Sequence, residues 1–372
     1  PQARLPGGGA VTLEPGGQLE ISTPPSTSLA GLYRDAEADI GRLADLLAAR
    51  GLHLGARGMD PHRPPRPFLV TPRYAAMAAY FDRQGPHGQV MMRCTAGLQV
   101  CLDAGPPAEA PARWCALHLV GPPLLAAFAN SRRQAGRDSG CASARMATWL
   151  AVDPARTRPV WPAADRRAPG TAGSPVPGDP GTEAARRPYP DPTAARVDPA
   201  AARVDPAADW ARYALAAPLL CVRRPDGPWD APPGVTFADW VAGALPTPPT
   251  VEDLDCHLRT LFPPVRPRGY LEVRYLDAQP PGEWIAPVAV LAALLADPAT
   301  VAAVERICAP TADAWPVAAR AGLADPVVAA VAAEVLDLAV RRLDRTDLSP
   351  AVRRLVTDIV ARRLAGGREA DA

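Results

Sequence analysis

The stretch Glu14-Pro15-Gly16-Gly17-Gln18-Leu19-Glu20-Ile21-Ser22 is the most informative part of the sequence. Apolar and polar side chains alternate on both sides of its Pro-Gly-Gly interruption, starting at Val11, and a period of two is typical of strands. The interruption predicts a bulge or bend between two strand segments. If the extended pattern continues through the bend, Glu14, Gln18 and Glu20 lie on one face.

The basic side chains in this chain of 372 residues are all arginine, because the sequence contains no lysine. The 40 basic residues are balanced by 39 acidic ones for a net charge of +1, which argues against a nucleic-acid partner. The lack of lysine excludes a pyridoxal-phosphate Schiff base, a G-x-x-x-x-G-K-[ST] phosphate loop and a kinase that depends on a strand lysine. If the protein handles phosphate, arginine, metal ions and backbone N–H groups must hold it.

The cysteine pattern indicates the compartment. The seven cysteines are scattered and contain no C-x-x-C pair, so the sequence predicts neither a zinc ribbon nor a disulfide scaffold. We expect reduced thiols in a cytoplasmic protein. The longest apolar run, residues 285–296, is too short for a membrane span of about 20 residues, so no membrane partner is expected.

Proline is abundant, with 47 residues in the chain. Many of them lie between residues 162 and 208, where aliphatic side chains are scarce and the seven residues 194–200 are repeated at 201–207. This composition predicts a disordered Pro/Ala/Gly-rich insertion. We therefore expect one α+β domain formed by residues 1–161 and 209–283, with a helical C-terminal region, residues 284–372, packed on it.

Two further stretches, residues 89–103 and 270–276, alternate like the first and are predicted strands. Their polar faces carry Arg93, Thr95, Gln99, Asp103, Glu272 and Arg274. A further strand is predicted over 212–224, and helices are predicted over 29–47, 73–81, 113–130, 143–152, 236–244, 251–262 and most of 285–363.

The polar faces of the three alternating stretches combine acids with arginines. Carboxylates on neighbouring strands suit Mg²⁺, which prefers hard oxygen ligands and bridges to phosphate. The planar guanidinium of arginine forms two charge-assisted hydrogen bonds with a carboxylate or a phosphate. Such a face suits a nucleotide-dependent enzyme that activates a carboxylate. The alternative is a solvated sheet face with surface ion pairs.

The motifs along the chain resemble those of the second glutamate–cysteine ligase family. Residues 14–22 resemble its E-P-G-G-Q-x-E-x-S signature, and four further blocks follow in order. These blocks contain Pro72-Arg73-Tyr74; Met91-Met92 with Thr95 and Gln99; Ala129-Asn130-Ser131 with Ser143, Arg145 and Trp149; and His257, Phe262-Pro263, Arg266, Leu271-Glu272, Arg274 and Asp277. The motifs are most similar to those of the bacterial branch that opens ergothioneine biosynthesis.

The resemblance implies a glutamine-synthetase-like fold, a curved antiparallel sheet with helices outside and a helical tail. It implies an ATP- and Mg²⁺-dependent reaction in which L-glutamate becomes γ-glutamyl phosphate and L-cysteine then displaces phosphate. The implied metal ligands are Glu14, Glu20 and Glu272. The implied substrate-binding residues are Arg73, Thr95, Gln99 and Arg145, the phosphate-binding residues are Arg266 and Arg274, and Arg145 and Arg274 are the implied catalytic residues.

Two alternatives remain open on the sequence alone. The first is a ligase of the same family that uses another amine acceptor. The second is an inactive relative that only binds nucleotide or a partner. The family begins with a strand carrying G-x-E-x-E, which is not found in this chain starting at Pro1, so an N-terminally truncated member is expected.

Overall fold

The computed structural model describes residues 4–160 and 205–366. Its helices are α1 (Leu29–Ala48), α2 (Pro72–Asp82), α3 (His87–Cys94), α4 (Ala110–Leu119), α5 (Gly121–Ala127), α6 (Ala144–Val152), α7 (Pro154–Thr157), α8 (Pro206–Ala216), α9 (Phe237–Val241), α10 (Val251–Leu258), α11 (Ile285–Leu294), α12 (Pro298–Cys308), α13 (Trp315–Ala321), α14 (Pro326–Arg342) and α15 (Pro350–Leu364). The helical tail predicted from apolar spacing is confirmed by α11 to α15.

The strands pair in antiparallel fashion in three small sheets. The first is a hairpin of β1 (Ala10–Leu13) and β2 (Leu19–Ser22), in which Thr12 pairs with Glu20. The second consists of β3 (Gly97–Leu102), β6 (Val265–Pro267) and β7 (Leu271–Asp277), in the order β3-β7-β6. The third consists of two short strands of two residues each, β4 (Arg133–Gln134) and β5 (Arg137–Asp138). The predicted α+β class is therefore confirmed.

The strand predicted over 89–103 is wrong in its first half, because residues 87–94 form α3. Met91 and Met92 are consecutive and both buried. Neighbouring residues of a strand point to opposite faces, whereas the broad apolar side of a helix can hold both. Gly88 lets α3 approach α2, since a Cβ there would lie 2.1 Å from the Cβ of Phe81.

The strand predicted over 212–224 is also wrong, because its first residues belong to α8. Asp205 caps this helix by accepting hydrogen bonds from the N–H groups of Ala207 and Ala208. Residues 205–208 of the predicted insertion are thus helix cap and first turn, and the rest of that insertion lies outside the described residues. The segment after α8 forms only isolated bridges, Pro218 with Thr236 and Cys221 with Asp230.

Six helices of the described chain begin with a capping residue followed by proline at the first helical position. They start at Thr71-Pro72, Asp153-Pro154, Asp205-Pro206, Asp297-Pro298, Asp325-Pro326 and Ser349-Pro350. In each case the cap side chain accepts a hydrogen bond from the first turn. Proline fits there because its fixed φ suits the helix and its missing N–H would have no partner within the helix.

The core surrounds β7, which is buried along its whole length. One apolar cluster extends from Ala76 to Val360 and includes nearly every position of α11. Tyr275 of β7 meets Trp315 of α13 edge to face, with ring centroids 5.3 Å apart. The C-terminal helices therefore pack directly on the strand that carries the candidate site.

No single described helix meets the length and hydropathy needed to cross a membrane. Only the sharply bent pair of helices over 285–294 and 298–311 meets both requirements when taken together.

Candidate functional site

The turn between β1 and β2 is fixed to the junction between α3 and β3. The side-chain amide of Gln18 donates to the carbonyl of Thr95 at 3.0 Å, and its oxygen accepts from the N–H of Gly16 at 2.9 Å. Gly16 lies against the main chain of Arg93, where a Cβ would come within 2.1 Å of the carbonyl oxygen. The Pro-Gly-Gly turn therefore places the strands of the hairpin beside β3.

Glu14, the first acid of the opening motif, lies within the electrostatic influence of the second, Glu20. Burial raises the pKa of Glu14, the Glu20 carboxylate raises it further, and Arg73 and Arg274 oppose the rise. No described residue donates a hydrogen bond to the Glu14 side chain, and the Glu20 carboxylate accepts one from the hydroxyl of Ser22 at 3.3 Å. Two half-buried carboxylates with so few protein donors suit a hard divalent cation.

Glu272 lies between two arginines on the β3-β7-β6 sheet. One oxygen, Oε2, accepts from Arg266 Nε at 2.6 Å and from Arg274 Nη1 at 3.1 Å. Burial acts to raise the pKa of Glu272, but Arg274 and Arg266 together hold it below its ordinary value. Burial lowers the pKa of Arg266 to about 10, and the adjacent Arg274 charge acts in the same direction. Arg274 Nη1 also donates to the side-chain oxygen of Gln99 at 3.0 Å.

Arg145, on α6, is enclosed by protein groups and only 3% exposed. Its Nη2 donates to the main-chain carbonyl of Arg274 at 2.8 Å, and its Nη1 lies 3.7 Å from Asp277 Oδ1. The guanidinium carbons of Arg145 and Arg274 lie 5.2 and 5.7 Å from the ring centroid of Trp149. The absence of a side chain at Gly97 makes room, since a Cβ there would lie 2.3 Å from Arg145 Nη2.

Arg73 and Thr95 both donate side-chain hydrogen bonds to main-chain carbonyls. Arg73 Nη2 donates to the carbonyl of Arg259 at 3.1 Å, while its buried Nε has no hydrogen-bond partner among the described residues. The hydroxyl of Thr95 donates to the carbonyl of Met91 at 2.6 Å and closes the end of α3. Arg73 thus carries a buried donor without a described partner, whereas the hydroxyl hydrogen of Thr95 is engaged within the protein.

Comparison with known proteins identifies the family. The family model described as glutamate–cysteine ligase family 2 (GCS2) matches residues 2–169 and 189–371. The chain belongs to glutamate–cysteine ligase family 2. The resemblance drawn from the motifs is thereby confirmed.

Several proteins similar to this chain are named glutamate–cysteine ligase. The EgtA protein of that name from Mycobacterium tuberculosis (strain ATCC 25618 / H37Rv) is 38% identical over 362 residues, covering 95% of this chain and 75% of that protein. EgtA of Mycolicibacterium smegmatis is 37% identical over 368 residues, 96% of this chain and 77% of that protein. The chloroplastic glutamate–cysteine ligase of Medicago truncatula is 28% identical over 355 residues, 90% of this chain and 62% of that protein.

The structure links the sequence-predicted site residues by contacts of different kinds. Direct contacts join Gln99, Arg145, Arg266, Glu272 and Arg274. Electrostatic coupling connects Glu14 with Glu20, Arg73 and Arg274, and Thr95 is joined through Gln18. Among the described residues, no three acidic, histidine or cysteine side chains are grouped as a metal site. The assignment of Glu14, Glu20 and Glu272 to one metal therefore stays a prediction.

Sequence reasoning assigned no role to four residues that support this network, namely Asp277, Ser131, Ser143 and Trp149. Asp277 accepts hydrogen bonds from the hydroxyls of Ser131 and Ser143, at 2.7 and 2.9 Å. Trp149 supports both guanidinium groups and donates its Nε1–H to the carbonyl of Phe262. All four belong to the motif blocks quoted above, and that was the only sign of their importance in the sequence.

Proposed function

We propose that the chain is an ATP-dependent ligase that joins the γ-carboxylate of L-glutamate to the amine of L-cysteine and forms γ-glutamylcysteine for ergothioneine biosynthesis. The observation that carries this proposal is the match along 95% of the chain to a relative named glutamate–cysteine ligase EgtA. The network of buried arginines and carboxylates around β7 supports it, because the reaction transfers a phosphoryl group between anions.

The chemistry requires activation of a poor acyl donor. The γ-carboxylate oxygen of glutamate attacks the terminal phosphorus of ATP, the bond to ADP breaks, and γ-glutamyl phosphate forms. The amine of cysteine then attacks the activated carbonyl, phosphate leaves, and the amine loses a proton. Phosphoryl transfer depends chiefly on positioning and on stabilisation of charge, so arginine side chains in fixed positions are suited to it.

The site arginines include buried donors that no described residue engages. The buried Nε atoms of Arg73, Arg145 and Arg274 have no hydrogen-bond partner among the described residues. In the proposed enzyme Arg274, with Arg266, holds phosphate oxygens, and Arg73 binds glutamate with Arg145, Thr95 and Gln99. Catalysis is assigned to Arg145 and Arg274.

Mg²⁺ fits the acidic part of the site. Glu14 and Glu20 supply hard oxygen ligands in a half-buried position, and Glu272 would contribute the oxygen that its arginines do not hold. The ion would neutralise phosphate charge during transfer.

The β1–β2 hairpin and the antiparallel β3-β7-β6 sheet also support the proposal of a glutamine-synthetase-like fold, with residues 284–372 packed on one catalytic unit. The seven cysteines are free thiols, which supports a reducing, cytoplasmic location.

Phosphate release measured with ATP, Mg²⁺ and glutamate tests the function. We expect release to require glutamate and to rise on addition of cysteine, with γ-glutamylcysteine detected by mass spectrometry. Stimulation by another amino acid and not by cysteine would favour the alternative of a different amine acceptor. An absence of glutamate-dependent turnover would contradict the ligase proposal and favour the inactive relative.

Substitution of Glu20 tests the acidic part of the site. Glu20→Gln should abolish turnover and leave the melting temperature nearly unchanged, because it removes a charged ligand without altering size. Glu334→Gln is the matched control, since Glu334 is exposed on α14. Full turnover by the Glu20 variant would remove Glu20 from the metal site.

A further inference from the structure

Asp277 is a buried carboxylate, only 1% exposed, at the end of β7. Its Oδ2 accepts hydrogen bonds from the N–H of Asn130 at 2.8 Å and the hydroxyl of Ser131 at 2.7 Å, and its Oδ1 accepts one from the hydroxyl of Ser143 at 2.9 Å. Gly58 lies against its side chain, since a Cβ there would be 2.7 Å from the Cβ of Asp277. Three chain segments therefore fix this carboxylate in one place.

The fixed carboxylate faces the guanidinium of Arg145. Asp277 Oδ1 lies 3.7 Å from Arg145 Nη1, and both side chains are almost completely excluded from solvent. A buried guanidinium is costly without a counter-charge. Asp277 supplies that charge, so it determines where the Arg145 head group lies.

Arg145 in turn bonds to the main chain of β7. Its Nη2 donates to the carbonyl of Arg274 at 2.8 Å, and both guanidinium groups lie near the ring of Trp149. The Arg274 side chain extends from this same residue to Glu272 and Gln99. A displacement of Arg145 would thus remove the hydrogen bond to the Arg274 carbonyl and the guanidinium that shares the ring of Trp149 with Arg274.

We propose that Asp277 is a positioning residue, which holds Arg145 against β7 and thereby fixes the Arg274 guanidinium beside Glu272 and Gln99. The inference rests on the proposed function, in which Arg274 holds phosphate oxygens during transfer. Asp277 itself is enclosed by protein and acts through Arg145.

The test compares Asp277→Asn with the unaltered protein in the full chain. Asparagine keeps the size and one acceptor oxygen but removes the charge opposite Arg145. We expect kcat for glutamate-dependent phosphate release to fall on the order of 10²-fold, the cost of a small misplacement of a catalytic group. KM for ATP should change much less than kcat, because Arg274 acts mainly on the charge that develops during transfer.

A second readout does not require turnover. The side-chain Nε–H signal of Arg274 in an NMR spectrum, assigned with Arg274→Lys, should shift in Asp277→Asn. Val335→Ala is the control for lost stability alone, because Val335 is buried in α14 outside the site. It should leave both the Arg274 signal and kcat of the folded fraction unchanged.

The possible outcomes separate the positioning role from the proposed function. Equal kcat in Asp277→Asn and Val335→Ala, or an unmoved Arg274 signal, would overturn the positioning role. If the unaltered protein has no glutamate-dependent turnover, the proposed function fails, and the NMR comparison still decides the positioning role. If Asp277→Asn does not fold, Ser131→Ala, which removes one hydrogen bond to the carboxylate, should shift the Arg274 signal in the same direction by less. An unmoved signal in that variant would count against the proposal.

Discussion

The pairing of Glu272 with two buried arginines makes a quantitative prediction about stability. Glu272→Gln removes the charge that Arg266 and Arg274 share but keeps an amide oxygen as acceptor. Hydrogen bonds to charged groups contribute about 1.5–3 kcal/mol each and neutral ones about 1 kcal/mol. Two weakened bonds and two uncompensated buried guanidinium groups therefore give a loss of about 3 kcal/mol, at the lower end of the range for a broken buried ion pair.

The chain offers a matched control in Glu283. This carboxylate also binds two arginines, Arg362 at 2.7 Å and Arg363 at 2.8 Å, but its side chain is 24% exposed, against 6% for Glu272. Ion pairs in contact with solvent contribute about 0–1 kcal/mol, so the partly exposed Glu283 should cost less on substitution by Gln than Glu272 does. Urea unfolding at neutral pH measures both losses. Equal losses would refute the reasoning that burial decides the strength of these pairs.

The same comparison has a definite dependence on pH. The pKa of Glu272 is lowered in the folded protein, so its charge stabilises the fold above the ordinary glutamate value of 4.5. This stabilisation is lost as the pH falls through the lowered folded-state pKa. The difference in unfolding free energy between the unaltered protein and Glu272→Gln should therefore shrink in acid. A difference that grew in acid would contradict the assignment.

Three other substitutions have defined outcomes. Gly97→Ala should lower kcat on the order of 10²-fold, because a Cβ would lie 2.3 Å from Arg145 Nη2; unchanged phosphate release would contradict this. A hydrogen bond from Cys221 lowers the pKa of Cys256, so iodoacetamide should alkylate Cys256 at a lower pH than it does an ordinary thiol, and Cys221→Ala should move the alkylation midpoint upward. Asp325→Ala removes the cap of α14 and should cost about 1 kcal/mol in urea unfolding without loss of turnover.

Local patterns predicted elements whose residue spacing or end residues are typical of one kind of secondary structure. Strand β7 was predictable because its residues alternate, and α9 because Thr236 and Asp239 form a capping box. The region of α3 was predicted incorrectly, since alternation cannot reveal that Gly88 allows a helix to lie against Phe81. Tertiary packing outweighed the local pattern there.

The candidate site, like the fold, was only partly predictable from the sequence. The motif blocks pointed to Arg266, Glu272 and Arg274, and in the structure Glu272 bonds to both arginines. They could not reveal the role of Asp277, because its partners Asn130 and Ser131 are 147 and 146 residues away in sequence and meet it only in the folded protein. They also gave no indication that Glu272 bonds to arginines, since its spacing from Arg274 along a strand is equally compatible with a free carboxylate.

The prolines that begin six helices also act on the unfolded chain. A proline at a position whose native φ it already satisfies restricts the disordered ensemble, and each such residue adds about 0.4–1 kcal/mol to stability through lost freedom before folding. In the described part of the chain, α12, α14 and α15 of the C-terminal region all start this way. These prolines therefore lower the conformational entropy that the C-terminal helices lose when they assemble around β7.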